Sequence, residues 1–285
     1  MPARQHAEPR RGRLLALNDS RFCWALGIEY DGSRFHGWQR QAALPTVQAT
    51  LEAALTRIAD EPVRASAAGR TDAGVHATGQ VVSFRTRADR PADAWMRGTQ
   101  SLASPGLSVR WAEPVAPDFD ARFSATSRRY WYVWLDAGPV PAIGRHYVTW
   151  TGRTLSASSM HTAAQSLLGE HDFSSFRAAS CQSRTPYRCV HAVSVARRGE
   201  LVVLDIAANA FLHHMVRNVA GSLERIGHGD EAPGWLDTVL AARRREAAAR
   251  TAPARGLYLV DVRYGATRLP PGRAPLWLRG DPEIW

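Results

Sequence analysis

The order of the predicted strands and helices is the feature that most constrains the fold of this 285-residue chain. In the first half, apolar runs and helix-start signals predict elements at 22–30, 46–58, 63–67, 80–87, 91–102 and 107–115. The second half predicts elements at 129–135, 156–168, 189–196, 201–207, 209–226, 235–243 and 257–264. The first half follows the order strand, helix, strand, strand, helix, strand, and the second half repeats that order with one more helix, 235–243, before its last strand. This repeat predicts an α+β fold built from two ferredoxin-like (β-α-β-β-α-β) halves.

Three residues mark predicted helix starts. Thr46 precedes an apolar stripe and is a favoured N-cap residue, and Pro91 takes the place that proline favours in a first helical turn. Asn209 is expected to cap a long helix that runs to Ile226. Apolar residues recur every four positions in that helix, which predicts an ordinary core face.

The charge of the chain favours a polyanionic partner. The formal net charge is +10, and all 36 basic residues are arginines, because the chain contains no lysine. The absence of lysine excludes enzymes that use a Schiff-base lysine or a P-loop lysine. Guanidinium groups suit phosphates and base edges, so nucleic acid is a more plausible partner than a membrane.

The cysteine count and the N-terminal segment suggest a cytoplasmic protein. Cys23, Cys181 and Cys189 are an odd, sparse set, which is typical of a reducing compartment and not of a disulfide scaffold. Cys181, Cys189 and His191 match no common zinc spacing. Residues 1–20 are expected to form a disordered basic leader, without an apolar run long enough for a signal peptide or a membrane span.

The segment AGRTDAGVHATGQVVSF, at 68–84, carries the most informative carboxylate, Asp72. Gly69, Gly74 and Gly79 suit a sharply bent loop, and the apolar run that follows predicts a buried strand. Asp72 is therefore expected on a loop held by rigid structure, which is a common place for a catalytic group. The alternative is that Asp72 only caps a turn, because Asp beside Gly often does so.

The histidines raise a metal-site hypothesis that the sequence does not favour. The candidates are His36, His76, His213 and His214. Adjacent histidines on a helix point about 100° apart and rarely share one metal, and the i, i+4 pair that binds zinc is missing. No metal site is therefore expected.

Two further patterns each have a plain alternative. Arg217 lies off the core stripe of its predicted helix, so it is either a surface charge or a cleft residue that pairs with a carboxylate. Segments 31–41 and 169–190 mix aromatic residues with Arg, which is typical of surfaces that stack bases and hold phosphates. The alternative for both segments is that their aromatic side chains pack into the core.

Five segments together resemble the tRNA pseudouridine synthase A family. In chain order they are ALGIEYDGSRFHGWQRQ, AGRTDAGVHATGQVVSF, FSATSRRYWYVW, GEHDFSSFRAASCQSRTP and ANAFLHHMVRN. The resemblance covers about residues 24–278, and GRTDAGVHA is its most specific part. The basic leader and the final RGDPEIW fall outside the pattern, and His36 stands where many relatives have another aromatic residue.

This resemblance implies a pseudouridine synthase fold with a central, mainly antiparallel sheet, and an isomerase that needs no metal and no cofactor. It implies that Asp72 is the catalytic residue, either as a nucleophile at the ribose C1′ atom or as the base that removes a ribose proton. It also implies that Arg217 is the ion-pair partner of Asp72, Arg70 a base-flipping residue and Tyr130 the residue that stacks on the flipped uracil. The implied substrate is the anticodon stem-loop of tRNA at uridines 38, 39 and 40, bound by a homodimer. The expected domains are 21–120, which carries the Asp72 loop, and 121–270, followed by a tail at 271–285.

Two other function classes stay open at this point. An RNA-binding module without catalysis would need no loop carboxylate with arginine partners. A metal-dependent RNA hydrolase using Asp72 and the histidines would lose its activity to chelators and would shorten its RNA.

Overall fold

The computed structural model describes residues 22–136 and 138–279. The expected leader at 1–20 and the last residues of the expected tail lie outside these ranges. Within them, the first half supplies two helices and four strands: β1 (Phe22–Tyr30), α1 (Val47–Ala59), β2 (Ala65–Ala67), β3 (His76–Thr86), α2 (Ala92–Leu102) and β4 (Leu107–Pro114). The second half supplies three helices and six strands: β5 (Ser127–Leu135), β6 (Thr149–Trp150), α3 (Ala157–Ala164), β7 (Gly169–Asp172), β8 (Tyr187–Arg198), β9 (Leu201–Ala208), α4 (Met215–Gly227), α5 (Trp235–Ala242) and β10 (Leu257–Arg263).

All ten described strands belong to one mainly antiparallel sheet, with the main order β4-β1-β3-β10-β5-β9-β8-β7. Strand β2 pairs with β3, and β6 pairs with β5. The first half therefore shows the order β4-β1-β3-β2, and the second half shows the equivalent order β10-β5-β9-β8. This repetition confirms the predicted α+β fold with two ferredoxin-like halves. The residue bounds of the expected domains stay a prediction.

The two halves meet where β3 pairs with β10 in parallel, at His76 with Tyr258 and Leu259 with Ala77. The backbones approach closely there, since a Cβ atom on Gly79 would lie 2.0 Å from the Val260 carbonyl oxygen. Only glycine fits such an approach. The loop that carries Asp72 ends at the start of β3, so it lies at the border between the halves.

Side chains of β5 alternate between two apolar clusters on opposite faces of the sheet. Tyr130, Tyr132 and Trp134 belong to the large cluster, which also takes in the helices, whereas Trp131 and Val133 belong to a smaller cluster. The aromatic strand predicted at 129–135 is thus central to both cores. The described residues contain no helix that is long and apolar enough to cross a bilayer.

The prediction that Asn209 caps a helix is wrong. Helix α4 begins at Met215, six residues later, and residues 210–214 are not helical. The Asn209 Oδ1 atom accepts hydrogen bonds from the backbone N–H groups of Cys189, at 3.1 Å, and Ala210, at 2.7 Å. Asn209 therefore fixes the chain as it leaves the sheet. Periodicity missed β6 and β7 because both are short and neither carries an alternating apolar pattern.

Candidate active site

A cleft of about 790 Å³ opens where the two halves meet, and Asp72 lies in its wall. The first half contributes the segment 65–72, and the second half contributes Tyr130, the segment 180–183 and the segment 210–217. The lining residues include five arginines and a single acidic residue, Asp72. The cleft is therefore strongly positive around one carboxylate.

Buried polar side chains hold the backbone immediately before Asp72. The Gln80 Nε2 atom donates to the Gly69 carbonyl oxygen at 2.6 Å. The hydroxyls of Tyr30 and Thr71 are 2.8 Å apart and share a hydrogen bond. Gln80 and Tyr30 are almost completely buried, so the packed sheet fixes the position of the loop.

Two glycines let the loop turn beside its neighbours. Gly74 has a φ angle of +80°, and Gly37, on the adjacent segment, has a φ angle of +86°. A Cβ atom on Gly37 would lie 2.9 Å from the Thr71 carbonyl oxygen. Of the three glycines expected to bend this loop, Gly74 has a positive φ, whereas Gly79 lies within β3.

Three cationic or polar side chains converge on the Asp72 carboxylate. An Arg217 Nη1–H donates to Oδ2 at 2.9 Å, His214 Nε2 lies 3.2 Å from Oδ2, and His213 Nε2 lies 3.3 Å from Oδ1. Burial raises the pKa of this carboxyl, but hydrogen bonds from His214 and Arg217 outweigh that effect and lower the pKa to about 2. Asp72 is therefore charged at neutral pH.

The Arg217 guanidinium is aimed by the backbone of a neighbouring segment. Its Nε–H donates to the Ala252 carbonyl oxygen at 2.8 Å, and the Ala252 N–H donates to the Arg217 carbonyl oxygen at 3.0 Å. The side chain is only 16% exposed. Arg217 is therefore not a surface charge. It lies in the cleft and pairs with the Asp72 carboxylate.

The histidine geometry differs from the sequence expectation. His213 and His214 were expected to diverge because they were placed inside a helix, but both precede α4. His214 has a φ of +62° in the left-handed region, and the two ring centroids lie 4.0 Å apart. The argument from helical divergence is therefore wrong here. Asp72, His213 and His214 form a group of potential ligands within 4.8 Å of one another, and neither His36 nor His76 belongs to this described group.

Tyr130 lies on the floor of the cleft beside the Asp72 loop. Its ring packs edge-on against Phe211 with a centroid distance of 5.0 Å. A Cβ atom on Gly69 would lie 3.4 Å from the Tyr130 hydroxyl oxygen. Burial raises the pKa of this hydroxyl, so it is protonated at neutral pH. Across residues 22–136 and 138–279, no protein partner is found for the hydroxyl, which leaves it available to a ligand.

Arg70 differs from Arg217 in being exposed. It lines the cleft two residues before Asp72 and has no ion-pair or hydrogen-bond partner in the described part of the chain. Arg122 is also exposed at the cleft, and its guanidinium lies 5.2 Å from the ring centroid of Phe123, which is itself 78% exposed. These side chains can contact a bound polyanion without breaking internal bonds.

The arginine-rich segment at 169–190 has a more structural role than expected. Arg177 donates to the carbonyl oxygens of Cys181 and Ser183, and Arg188 is buried. Phe173 and Phe176 are fully buried, so the core alternative holds for these two rings. Only part of this segment, notably the residues 180–183, reaches the cleft.

Comparison with known proteins identifies the family. A family model described as tRNA pseudouridine synthase matches residues 27–124 and 163–265. The tRNA pseudouridine synthase A of Shewanella amazonensis is 56% identical over 240 residues, which cover 84% of this chain and 92% of that protein. The chain belongs to the tRNA pseudouridine synthase family. The synthase of Aeromonas hydrophila is 55% identical over 258 residues, 89% of this chain and 95% of that protein.

A solved Cbf5-Nop10-Gar1 complex is a much more distant likeness, with 12% identity and a TM-score of 0.36. The match covers 83% of this chain and 48% of that chain. The family model and the two bacterial synthases confirm the family membership that the five sequence segments predicted.

In this synthase the structure brings Asp72, Arg217 and Tyr130 to one cleft and leaves Arg70 at its exposed wall. Sequence reasoning missed Arg128, which donates to the carbonyl oxygens of Ala68, Ala125 and Asn209 and so ties the start of the Asp72 loop to the second half. The sequence does hold a signal for this role, since Arg128 belongs to the mainly apolar strand β5. A guanidinium that is partly buried there needs several hydrogen-bond acceptors.

Proposed function

We propose that this chain isomerises uridine to pseudouridine in tRNA, with the Asp72 carboxylate acting at the ribose C1′ atom. The observation that carries the proposal is a single ionised carboxylate in a cleft lined by five arginines. The family membership supports the reaction and the tRNA substrate.

The reaction needs one carboxylate and no redox partner. In the proposed sequence, an Asp72 oxygen attacks C1′ and the N1–C1′ bond breaks, so that uracil leaves as a bound anion. The base turns, C5 attacks C1′ and the bond to Asp72 breaks. C5 then loses its proton to water and N1 takes one up, so that the product is an isomer of uridine. A retaining glycosidase uses a carboxylate in a similar way at a developing oxocarbenium centre.

Arg217 keeps the nucleophile charged and aimed. A guanidinium at 2.9 Å favours the ionised carboxylate, and its own anchor on Ala252 fixes the direction of the pair. Asp72 is then ready to react throughout the neutral range.

Tyr130 and Arg70 are proposed to handle the target base. An enzyme that acts on a base must take it out of its stack, and an unpaired cation at the cleft wall can occupy the space that the base leaves. Tyr130 lines the cleft together with Asp72, and its hydroxyl is protonated, so we assign it to stacking on the flipped uracil.

The proposed substrate region is the anticodon stem-loop at uridines 38, 39 and 40. Action on three adjacent positions requires recognition of shape more than of sequence, which contacts to phosphates supply. We also propose a homodimer in the cytoplasm. The three free cysteines support the reducing compartment, and light scattering of the purified protein tests the dimer.

Incubation of the purified chain with an unmodified tRNA transcript tests the reaction and separates it from its rivals. We expect pseudouridine on nucleoside analysis, at positions 38–40, with RNA of unchanged length and with full activity after exhaustive chelation. A pure RNA-binding module would give no pseudouridine. A metal-dependent hydrolase would shorten the RNA and would need added metal after chelation.

Binding of tRNA is expected to weaken steeply with salt. The net charge of +10 and exposed cleft arginines such as Arg70 and Arg122 indicate contacts with phosphates. Each phosphate neutralised in a duplex region contributes a slope of about −0.9 to a plot of log affinity against log salt. Filter binding across a salt series measures the slope, and a flat plot contradicts the proposed phosphate contacts.

A further inference from the structure

We propose that Asp72, His213 and His214 form a binding site for a divalent transition-metal ion of the zinc type, and that an ion bound there inhibits the enzyme. The proposed reaction uses no metal, so this site is a regulatory or inhibitory one. The inhibition rests on the proposed role of Asp72, whereas the binding site itself does not.

The three ligand groups lie close enough together to converge on one tetrahedral ion, because their ligand atoms are all within 4.8 Å of one another. Zinc bonds to imidazole nitrogen and carboxylate oxygen are about 2.0–2.2 Å long, so neighbouring ligands in a tetrahedral site lie roughly 3.3–3.5 Å apart. The Nε2 atom of His213 lies 3.3 Å from one carboxylate oxygen of Asp72, and that of His214 lies 3.2 Å from the other. Small side-chain movements suffice to place an ion between these atoms.

Two of the three ligand side chains have hydrogen-bond partners of the kind that orient the ligands in metal sites. Ser180 Oγ lies 3.1 Å from Nδ1 of His213, so it can accept a hydrogen bond from Nδ1–H. That bond favours the tautomer with its proton on Nδ1, in which the Nε2 lone pair is free for the ion. Arg217 donates to Asp72 Oδ2, and a ligating carboxylate is commonly hydrogen-bonded through its other oxygen. The site therefore has an outer partner for two of its three ligands.

Asp72, His213 and His214 all line the cleft, so a fourth ligand, water or a substrate oxygen, could reach an ion held by them. Two imidazoles and one carboxylate with an open position are a donor set that zinc accepts. His214 holds its ring there from a left-handed backbone conformation at φ +62°, which is costly for a residue other than glycine and is more frequent at functional sites.

Occupation of this site is expected to stop the proposed reaction. An ion on Asp72 withdraws the electron pair that attacks C1′, and it fills the space beside Tyr130 where the base must enter. A bound ion also adds positive charge beside Arg217, which weakens that ion pair.

Cobalt(II) titration of the full chain tests the site without any measurement of turnover. We expect one ion per chain with the intense visible absorption of tetrahedral cobalt, displaced by zinc. His213→Asn and His214→Asn should each weaken binding by more than about 100-fold, since loss of an outer partner alone costs roughly 10–100-fold. Asn tolerates the left-handed conformation at position 214, so that variant is expected to fold. Ser180→Ala should weaken binding roughly tenfold.

His191→Ala serves as the matched control, because His191 is exposed and contacts only the Cys189 thiol, at 3.9 Å, among its described neighbours. Its cobalt spectrum should match that of the unaltered chain. A cobalt–thiolate charge-transfer band would instead place the ion on a cysteine such as Cys181, and unchanged binding in the His213 and His214 variants would equally overturn the site.

The proposed inhibition is tested by a separate measurement. Zinc at saturation should abolish pseudouridine formation by the unaltered chain, and chelation should restore it. If zinc binds as proposed but turnover is unchanged or increased, the site stands and the inhibition is wrong. If the chain forms no pseudouridine under any condition, the proposed function fails while the cobalt result still decides the site.

Discussion

Replacement of Arg217 by alanine is expected to lower pseudouridine formation roughly 100-fold at neutral pH, the scale on which loss of one preorganised electrostatic partner acts. Arg217 donates to Asp72 Oδ2 at 2.9 Å in a partly buried site. Without it, burial still raises the pKa of the carboxyl, and His214 alone opposes that effect. The pKa of Asp72 should rise by about 1–3 units.

The direction of the pH effect follows from the ionised form being the active one. In the unaltered chain the pKa of Asp72 is about 2, so its protonation does not limit activity near neutrality. In Arg217→Ala the acid limb of the pH–rate profile should move to higher pH. Single-turnover rates should be measured from about pH 3 to pH 8, because the acid limb of the unaltered chain, with an Asp72 pKa of about 2, lies below this range and that of Arg217→Ala falls within it.

Two variants separate this role from a structural one. Arg217→Lys keeps the charge but loses the Nε–H bond to Ala252, so we expect partial activity and an acid limb close to the original. Arg225→Ala removes an arginine of the same helix that pairs with Glu231 outside the cleft, and turnover should be unchanged. An Arg217→Ala enzyme with normal turnover and an unshifted profile would make this arginine structural.

Most of the fold was predictable from the sequence, because most helix-start residues and apolar patterns agree with the way the elements pack in the structure. Thr46 precedes α1 as expected, and its hydroxyl accepts a hydrogen bond from the Ala49 N–H. Pro91 marks the start of α2, but it is the extended residue just before the helix and does not lie in its first turn. The start of α4 could not be predicted in this way. Asn209 has the chemistry of a helix cap, but its side chain accepts a hydrogen bond from the Cys189 N–H near the start of β8, a contact between residues 20 positions apart.

The contacts within the candidate site were harder to predict from the sequence than the fold was. Asp72 and Arg217 are 145 positions apart, and no periodicity connects them, so the pair was expected only from resemblance to a family. The convergence of His213 and His214 depends on a left-handed residue before α4. The four-residue apolar repeat begins at Phe211, before the helix itself starts at Met215, and so gives no sign of this turn. The two rings were therefore expected to diverge as they would on a helix.

Asp72→Asn is expected to lower pseudouridine formation by about 10⁴-fold or more, the scale seen when a group central to covalent catalysis is removed. Asparagine keeps the size and the turn-forming ability of aspartate but cannot act as a nucleophile. The loop should keep its place, because Gln80 and Tyr30 hold it through Gly69 and Thr71 and not through Asp72. Affinity for tRNA should stay near that of the unaltered chain, because the exposed arginines are unchanged.

Stability gives an independent check on the charge of Asp72. Its pKa is lowered from 3.8 to about 2 on folding, so the carboxylate contributes about 2 kcal/mol of stability above pH 4. That contribution is lost as the pH falls from about 4 to about 2. The free energies of unfolding of the unaltered chain and Asp72→Asn should therefore converge across this range, as far as both remain folded.

The matched control is Asp205→Asn, which removes a carboxylate of similar exposure that pairs with Arg129 on the sheet, outside the cleft. Both variants lose an aspartate–arginine pair, but only Asp72→Asn should stop the release of tritium from C5-labelled uridine in tRNA. Circular dichroism and tRNA binding establish that each variant is folded. If folded Asp72→Asn releases tritium at a near-normal rate, Asp72 only caps a turn, and the carboxylate that attacks C1′ must be sought elsewhere, although no other acidic residue lines the described cleft.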